Sequence, residues 1–245
     1  MAANKNLILG SWLSSGSPVI TELAVEAGFH WLLIDLEHGN GTEAEVLNQL
    51  RAFRGSSTLP IVRVGAMHAD LIGRLLDWGA AGIMVPHVNS ADQARRCVEA
   101  MRYPPRGHRG VSRTVRAYGY GFKSFKEDDT ENPPLLIAQI ETAQAVLSSE
   151  EIAAVDGVDV LFVGPSDLKY DLEKRPHVEN PDFANCLQQV AKSAHHAGKA
   201  SGLLMRNVNE LDAFVEAGFQ WIAVESDLGI LRNRYREFLS RISKS

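Results

Sequence analysis

The apolar positions of the chain fall into eight short runs, and each run is followed by a segment with helical spacing of its apolar residues. The runs are continuous rather than alternating, which is typical of parallel strands covered on both faces. The predicted strands are Leu7–Leu13, Trp31–Ile34, Pro60–Val64, Gly82–Val85, Leu135–Ile140, Val158–Val163, Ala200–Leu204 and Trp221–Val224. The predicted helices cover residues 17–27, 42–53, 69–78, 90–101, 142–155, 182–197, 208–217 and 228–242.

Eight strand–helix units predict an α/β fold, a single (β/α)8 TIM barrel that takes up residues 1–245 as one domain. A doubly wound open sheet is the alternative. It is disfavoured because the first strand, with Gly10-Ser11-Trp12, lacks the Gly-rich fingerprint of a nucleotide-binding loop. The similar phrases at residues 26–31 and 216–221 support a repeated unit.

One stretch, residues 103–134, breaks the alternation. It is rich in Arg, Gly, aromatic and acidic residues and has Pro104-Pro105 and Pro133-Pro134 near its ends. A long irregular segment inside a compact domain is usually functional. We therefore expect this excursion to lie close to the active site.

Composition narrows the class of protein. The net charge of −5 argues against a nucleic-acid partner, which would favour a basic surface. No apolar run reaches the roughly 18–20 residues that span a bilayer, and the first residues carry no secretory signal. Cys97 and Cys186 lie far apart in helical patterns and are expected to be buried free thiols. These features predict a soluble, cytoplasmic protein without a membrane partner.

The candidate chemistry follows from the fold, because barrel enzymes place their active sites at the carboxyl ends of the strands. Each polar residue there could be a helix cap or a solvated turn. Their convergence on one barrel mouth favours an active site instead. The residues that follow six of the predicted strands are Asp35, Glu37, His38, Arg63, His87, Glu141, Ser166, Asp167, Glu225 and Asp227.

Two of these carboxylates predict a metal site. Glu141 closes the fifth strand and Asp167 follows the sixth. One or two carboxylates, completed by substrate and water oxygens, suit a hard divalent cation. The sequence shows no Cys/His cluster that would favour zinc, so we expect Mg²⁺, Mn²⁺ or Co²⁺.

Five motifs, in this order along nearly the whole chain, resemble those of the HpcH/HpaI class II pyruvate aldolases. The resemblance implies a metal-dependent barrel that makes or breaks a C–C bond next to pyruvate, with a 2-oxo acid and an aldehyde as small-molecule partners. The motifs are Ile34-Asp35-Leu36-Glu37-His38-Gly39, Val62-Arg63-Val64, Met101-Arg102-Tyr103-Pro104-Pro105-Arg106-Gly107 with Arg109-Gly110, Gln139-Ile140-Glu141-Thr142, and Val163-Gly164-Pro165-Ser166-Asp167-Leu168.

The chemistry of an aldol cleavage assigns roles to the residues near the metal. Arg63 can donate two hydrogen bonds to the enolate oxygen, although an ion pair inside the barrel is its structural alternative. His38 is the candidate acid/base and acts through a water, although it could merely cap a loop. Asp35 and Glu37 are expected to orient the arginine or metal-bound waters.

Three further site residues are expected to bind substrate. Ser166 and the backbone of Gly164 would hold the pyruvate carboxylate through N–H groups at the turn. Trp12 is a candidate wall of the aldehyde pocket, with packing at the barrel rim as its alternative. His87 is left without a role.

The resemblance also implies a homo-oligomer, a hexamer in the family. Asp77 matches a family carboxylate that pairs with the motif histidine, yet it ends a helix and so lies opposite the mouth. It can reach His38 only in a neighbouring subunit. The terminal helix, residues 228–242, could pack on its own barrel or be exchanged with that neighbour.

Two residues depart from the family pattern, which usually has small residues at Lys169 and Glu225. These departures concern the aldehyde, because the metal and base positions are intact. The leading hypothesis is reversible cleavage of 4-hydroxy-2-oxo acids into pyruvate, or a substituted pyruvate such as hydroxypyruvate, and an aldehyde. The alternatives are oxaloacetate decarboxylation or citrate formation by related enolate chemistry, and a non-catalytic oxoacid-binding barrel.

Overall fold

A computed structural model describes residues 7–125, 133–174 and 182–243. Eight parallel strands close into a barrel in which every strand pairs with its neighbours in sequence and β8 pairs with β1. The predicted (β/α)8 barrel is therefore confirmed, and the open sheet is wrong. The strands are β1 (Ile8–Leu13), β2 (Trp31–Asp35), β3 (Leu59–Arg63), β4 (Gly82–Val85), β5 (Leu135–Ile140), β6 (Val160–Val163), β7 (Ala200–Met205) and β8 (Trp221–Ser226).

Helices cover the outside of the barrel. Three of them begin at a serine whose side chain accepts a backbone N–H of the first turn, namely Ser17, Ser90 and Ser226. None of the described helices is long and apolar enough to span a bilayer. The helices are α1 (Pro18–Glu26), α2 (Glu43–Ala52), α3 (Ala69–Asp77), α4 (Ala91–Met101), α5 (Ala143–Leu147), α6 (Ser149–Ala153), α7 (Pro165–Lys174), α8 (Phe183–His196), α9 (Leu211–Glu216) and α10 (Asp227–Ile242), with 3-10 turns at Arg116–Gly121 and Val208–Glu210.

Helix α7 corrects the sequence-based prediction, which placed a turn after β6 and no helix before residue 182. Pro165 suits the first position of a helix. Leu168 and Leu172, one helical turn apart, pack towards the core. Lys169 faces outward, whereas Asp171 is buried and accepts the backbone N–H of Ala143 at 2.9 Å, so charged residues on both sides hide the helical pattern. The single helix predicted over residues 142–155 is two short ones that meet at Ser148.

The core has two parts. The larger cluster lies between barrel and helices, and it includes both cysteines as buried free thiols, as predicted. The smaller cluster fills the barrel interior with aromatic rings: Trp12 lies 5.5 Å from Phe162, and Trp31 lies 5.4 Å from Trp221, between ring centroids. Gly10 makes room for them, since a Cβ there would lie 2.1 Å from the Trp31 ring.

The excursion predicted at residues 103–134 is described as far as residue 125 and again from residue 133. Arg116 donates to the carbonyl of Leu50 at 3.0 Å and to that of Trp78 at 2.6 Å, at the carboxyl ends of α2 and α3. These helix ends lie at the bottom of the barrel, away from the carboxyl ends of the strands. This part of the excursion therefore lies away from the mouth of its own barrel, and the closeness of the whole excursion to an active site stays a prediction.

Candidate active site

Arg63 is held by two carboxylates at the carboxyl ends of β2 and β3. Parallel pairing places Asp35 beside Arg63, and Nε and Nη2 of Arg63 donate to the two Oδ atoms of Asp35 at 2.9 and 2.7 Å. Its Nη1 lies 2.7 Å from Oε2 of Glu37. Burial lowers the pKa of Arg63, but the hydrogen bond and charge of Asp35 and the charge of Glu37 raise it overall. The guanidinium is thus charged and fixed in orientation.

The same aspartate shapes the loop that carries His38. Oδ1 of Asp35 accepts the backbone N–H groups of Glu37 at 3.0 Å and His38 at 3.3 Å. The His38 side chain is 70% exposed, and its Nε2 lies 4.0 Å from Glu37. In a single chain this imidazole is therefore open to water and substrate, although its backbone is anchored.

The carboxylate of Glu141 is buried and closely surrounded. Its Oε1 accepts the backbone N–H of His87 at 2.7 Å and lies 2.9 Å from Nδ1 of the same residue, while Oε2 accepts from the Gln139 amide at 2.7 Å. Burial raises the pKa of Glu141 to about 7; the His87 contacts oppose this, and the charges of Asp167 and Glu37 add to it. A cation beside Glu141 and Asp167 would relieve their repulsion.

Gly164 and the first turn of α7 form the wall opposite Glu141. A Cβ at Gly164 would lie 2.8 Å from Oε2 of Glu141, so only glycine allows this approach. The first helical hydrogen bond runs from the N–H of Leu168 to the carbonyl of Gly164 at 3.0 Å. The N–H groups of Ser166 and Asp167 precede it and have no helical acceptor. They are free to bind an anion.

These groups surround a cavity of about 310 Å³ at the barrel mouth. Trp12 forms part of its wall and also packs on Phe162, and its ring lies 5.5 Å from Cζ of Arg63. Its contact with the aldehyde stays a prediction. The cavity is lined by Trp12, Ser14, Asp35, His38, Arg63, Gln139, Phe162, Val163, Gly164, Pro165, Ser166, Asp167, Leu204, Arg206, Glu225 and Ser226.

The residues present fit a divalent cation. Among the described residues, no three His, Cys, Asp or Glu side chains surround a common metal position, so Glu141 and Asp167 would have to hold a cation as a pair. A hard cation accepts such a pair when substrate and water oxygens complete its shell. In addition, the buried Oε1 of Gln139 has no hydrogen-bond partner in the described part of the chain. It is available to a water or a substrate hydroxyl next to Glu141.

Asp77 does not join this cavity. It is the last residue of α3, and its Oδ1 accepts from Nη2 of Arg109 at 2.6 Å. Arg109 is itself buried, with Cζ 4.7 Å from the Tyr103 ring centroid. This places Asp77 at the bottom of the barrel, as its position in the sequence predicts. Its pairing with His38 of a neighbouring subunit stays a prediction.

The backbone is irregular at the carboxyl end of β8. Glu225 is a non-glycine residue with φ of 53°, a left-handed conformation that costs an ordinary residue about 1–2 kcal/mol. Asp227, by contrast, has a structural role, because its carboxylate accepts the N–H groups of Ser14 and Ser15 and ties the loop after β1 to α10.

Sequence reasoning left three site residues without a role. His87 and Gln139 hold Glu141, and Arg206, directly after β7, lines the cavity. Arg206 could have been found by extending the rule on strand ends to the seventh strand. Gln139 lies within a continuous apolar strand, where one polar residue that faces the barrel interior is itself a signal.

Residues 9–234 match the family model described as HpcH/HpaI aldolase/citrate lyase. The chain is 35% identical over 242 residues to the 5-keto-4-deoxy-D-glucarate aldolase of Shigella boydii serotype 18 (strain CDC 3083-94 / BS512), with 99% of this chain and 94% of the relative covered.

Solved structures give the same picture. An HpcH/HpaI aldolase/citrate lyase family protein from Burkholderia cenocepacia J2315 superposes with a TM-score of 0.90 at 34% identity, covering 97% of this chain and 95% of the other. The citrate synthase SbnG gives a TM-score of 0.83 at 25% identity, covering 98% and 95%. The similarity thus extends over nearly the whole chain.

Proposed function

The chain belongs to the HpcH/HpaI aldolase/citrate lyase family and is a lyase of the aldolase type, and we propose that it reversibly cleaves 4-hydroxy-2-oxo acids into pyruvate, or a substituted pyruvate such as hydroxypyruvate, and an aldehyde. One observation carries the proposal: Arg63 and Asp167 line one cavity at the barrel mouth, and Glu141, whose charge interacts with both, lies against the Gly164 wall of that cavity. The relative in Shigella boydii is named for 5-keto-4-deoxy-D-glucarate, which is an acid of this kind.

Substrate binding starts at the first turn of α7. The N–H groups of Ser166 and Asp167, aided by the positive end of the helix dipole, suit the C1 carboxylate of a 2-oxo acid. Gly164 has no side chain, so it leaves the space beside Glu141 open to the substrate. Glu141 and Asp167 would hold a divalent cation, for which Mg²⁺, Mn²⁺ and Co²⁺ are the candidates, and such a cation supplies Lewis-acid stabilisation of charge on the oxo-acid oxygens.

The residues of the chain account for the charge and proton movements. In cleavage, the C3–C4 bond breaks, its electron pair moves to C3 and the C2 oxygen, and the 4-hydroxyl loses its proton as the aldehyde forms. His38 takes that proton through a water. Arg63 donates to the developing C2 oxyanion, and Asp35 and Glu37 keep it oriented. A proton delivered to C3 completes pyruvate.

Replacement of Glu141 tests this function. Glu141→Ala removes one of two carboxylates, so retro-aldol release of pyruvate should fall by at least roughly 100-fold, and chelator should abolish wild-type turnover. Glu150→Gln, on the exposed face of α6, is the matched control and should keep wild-type turnover. Full, chelator-insensitive activity in Glu141→Ala would refute the proposal.

Related enolate chemistry is the second candidate, favoured by the similarity to the citrate synthase SbnG. An assay with oxaloacetate as the only substrate distinguishes aldol cleavage from this related chemistry. Release of pyruvate, or formation of citrate when an acetyl donor is added, at a rate above aldol cleavage would favour the alternative. Absence of any turnover would favour an oxoacid-binding protein without catalysis.

We further propose that the active form is a homo-oligomer, with a hexamer as the expectation. Support comes from Asp77, which lies remote from His38 of its own chain, and from the exposed apolar residues of α10. In such an assembly, Asp77 of a neighbouring subunit would approach His38 and assist its proton transfer. The exposed apolar face of α10 would be covered by the neighbour.

A further inference from the structure

The two proposed metal ligands are carried by segments that meet at two points. Glu141 directly follows β5, and Asp167 lies in the first turn of α7. At the strand side, the backbone N–H of Gly164 donates to the carbonyl of Ile140 at 3.1 Å. This hydrogen bond fixes the start of α7 beside the end of β5. A single point of contact does not set the direction in which the helix runs.

The second point of contact is a hydrogen bond from the middle of α7. Oδ2 of Asp171 accepts the backbone N–H of Ala143 at 2.9 Å. Asp171 lies four residues after Asp167, so both carboxylates project from one face of α7. Ala143 is the first residue of α5 and lies two residues after Glu141. The bond therefore connects the segment that carries one metal ligand with the helix that carries the other.

The chemistry of this hydrogen bond makes its loss costly. Asp171 is only 5% exposed, and a buried carboxylate depends on its hydrogen-bond donors for stability. The N–H of Ala143 belongs to the first turn of α5 and has no acceptor within its own helix. A carboxylate that accepts such an N–H forms a stronger bond than two neutral groups do.

The direction of α7 depends on this bond because the helix buries few side chains. Only Leu168 and Asp171 are buried among residues 165–174. Burial of a leucine is favourable in many orientations, because the hydrophobic effect has no preferred direction. A hydrogen bond requires a defined distance and angle. Asp171 thus supplies the directional contact between α7 and the segment after β5.

We propose that Asp171 is a positioning residue, which sets the separation of the Glu141 and Asp167 carboxylates through the N–H of Ala143. This inference rests on the proposed function, because it gives the bond a role in binding the divalent cation. Asp171 does not line the cavity at the barrel mouth, so it acts by holding α7 against the start of α5. Loss of the bond should therefore weaken metal binding more than it slows the chemical step.

Calorimetric titration of the intact protein with Mn²⁺ tests this role. Asp171→Ala should raise the dissociation constant for Mn²⁺ roughly 10- to 100-fold, as expected when a group that orients metal ligands is lost. In assays of pyruvate release, the Mn²⁺ concentration that gives half-maximal activity should rise by a similar factor. The kcat at saturating Mn²⁺ should stay within about threefold of wild type. Asp171→Asn keeps an oxygen that can accept the N–H of Ala143, and it should recover most of the affinity.

Asp159→Ala is the matched control. Oδ2 of Asp159 accepts the backbone N–H of Leu136 at 2.8 Å, at the opposite end of β5. This variant loses the same kind of bond far from the barrel mouth, so it should lower the melting temperature and leave the Mn²⁺ affinity within about twofold. If Asp171→Ala behaves like this control, the role of Asp171 is purely structural and the proposal is overturned.

Replacement of the donor tests the same bond from the other side. Ala143→Pro removes the N–H, and proline suits the first position of α5 because Thr142 before it is extended, with φ of −135° and ψ of 157°. Alone, Ala143→Pro should weaken Mn²⁺ binding at least as much as Asp171→Ala does. Added to Asp171→Ala, which has no such bond to lose, it should change the affinity by less than about twofold. Additive losses in the double variant would contradict the proposal.

The outcomes separate this inference from the proposed function. A wild type without measurable Mn²⁺ binding would refute the metal site and with it the role of Asp171. Normal binding by wild type with unchanged affinity in Asp171→Ala and in Ala143→Pro would refute the positioning role alone and leave aldol cleavage in place. Should Asp171→Ala fail to fold, Ala143→Pro and Asp171→Asn decide the question, because both retain a polar side chain at residue 171.

Discussion

At the scale of single residues, the site depends on charged side chains that hold one another in fixed positions. Arg63 makes hydrogen bonds to Asp35 through two different nitrogens and contacts Glu37 through a third; Arg63 and Asp35 are buried, and Glu37 is partly exposed. A buried carboxylate without its partner costs several kcal/mol. The same contacts that hold the arginine for an oxyanion therefore also stabilise the barrel mouth.

Arg63→Lys tests this link. Lysine keeps the charge but lacks the planar fork, so one acceptor of Asp35 or Glu37 is left unmatched. The free energy of unfolding should fall by about 1–3 kcal/mol, and kcat by roughly 100-fold or more, measured by urea denaturation and pyruvate release. Arg74→Lys, in the exposed pair with Glu43, is the control and should change stability by less than about 0.5 kcal/mol. Unchanged stability in Arg63→Lys would contradict the arrangement.

The proposed metal-binding role of Glu141 predicts that metal affinity depends on pH. Burial raises its pKa to about 7, above the unfolded value near 4.5, so the metal-free folded state favours the protonated acid. Protonation of Glu141 adds to the stability of the folded state. This contribution is complete below the pKa of the unfolded state and is lost as the pH rises through the folded-state pKa of about 7. A cation that binds Glu141 must displace that proton. The dissociation constant of the cation should therefore be roughly tenfold larger at pH 6 than at pH 8.

Calorimetry in two buffers of different ionisation enthalpy measures this effect. Close to one proton should be released per metal bound at pH 6, and few at pH 8. A metal affinity that is the same at both pH values would show that Glu141 binds metal without giving up a proton.

At the scale of secondary-structure elements, the junction of β6 with α7 decides the shape of the metal site. Replacement Gly164→Ala would place a Cβ 2.8 Å from Oε2 of Glu141 and 3.0 Å from Nε2 of Gln139. Metal affinity should fall roughly 10- to 100-fold, measured by calorimetry, with the fold retained. Gly73→Ala is the matched control, because its Cβ would meet only Arg109 at an ordinary 3.8 Å. Unchanged affinity in Gly164→Ala would mean that α7 shifts freely.

The elements also show how far the sequence predicts the fold. All eight strands were predicted within two residues of their observed ends, because buried parallel strands form uninterrupted apolar runs. Helix α7 was not predicted, because its outward face carries Lys169, Glu173 and Lys174 and only two leucines mark its inner side. The periodicity of apolar residues is weak evidence for a helix when that helix buries only one short face.

At the scale of the whole molecule, α10 presents apolar side chains to the outside. A row of this kind on a surface helix indicates a contact with another chain. The exposed fractions range from 41% to 69% for Leu228, Ile230, Tyr235, Phe238, Leu239 and Ile242.

Phe238→Glu should disrupt the proposed oligomer, because a buried charge would face the neighbour. Analytical ultracentrifugation should show smaller species, and kcat should fall roughly 10-fold or more if Asp77 of the neighbour assists His38. Lys192→Glu, a charge change on the exposed face of α8, is the control and should keep the assembly. A fully active monomer of the wild type would contradict the shared site.

The sequence by itself determined the barrel, the order of its strands and the six strand ends that bring polar residues to one mouth. These follow from local periodicity and from the rule that parallel strands share one carboxyl edge. Only the tertiary structure decided which polar groups touch: His87 and Gln139 on Glu141, and Asp35 and Glu37 on Arg63. Such contacts depend on strand register and side-chain direction across the barrel, and these join residues that are distant in sequence.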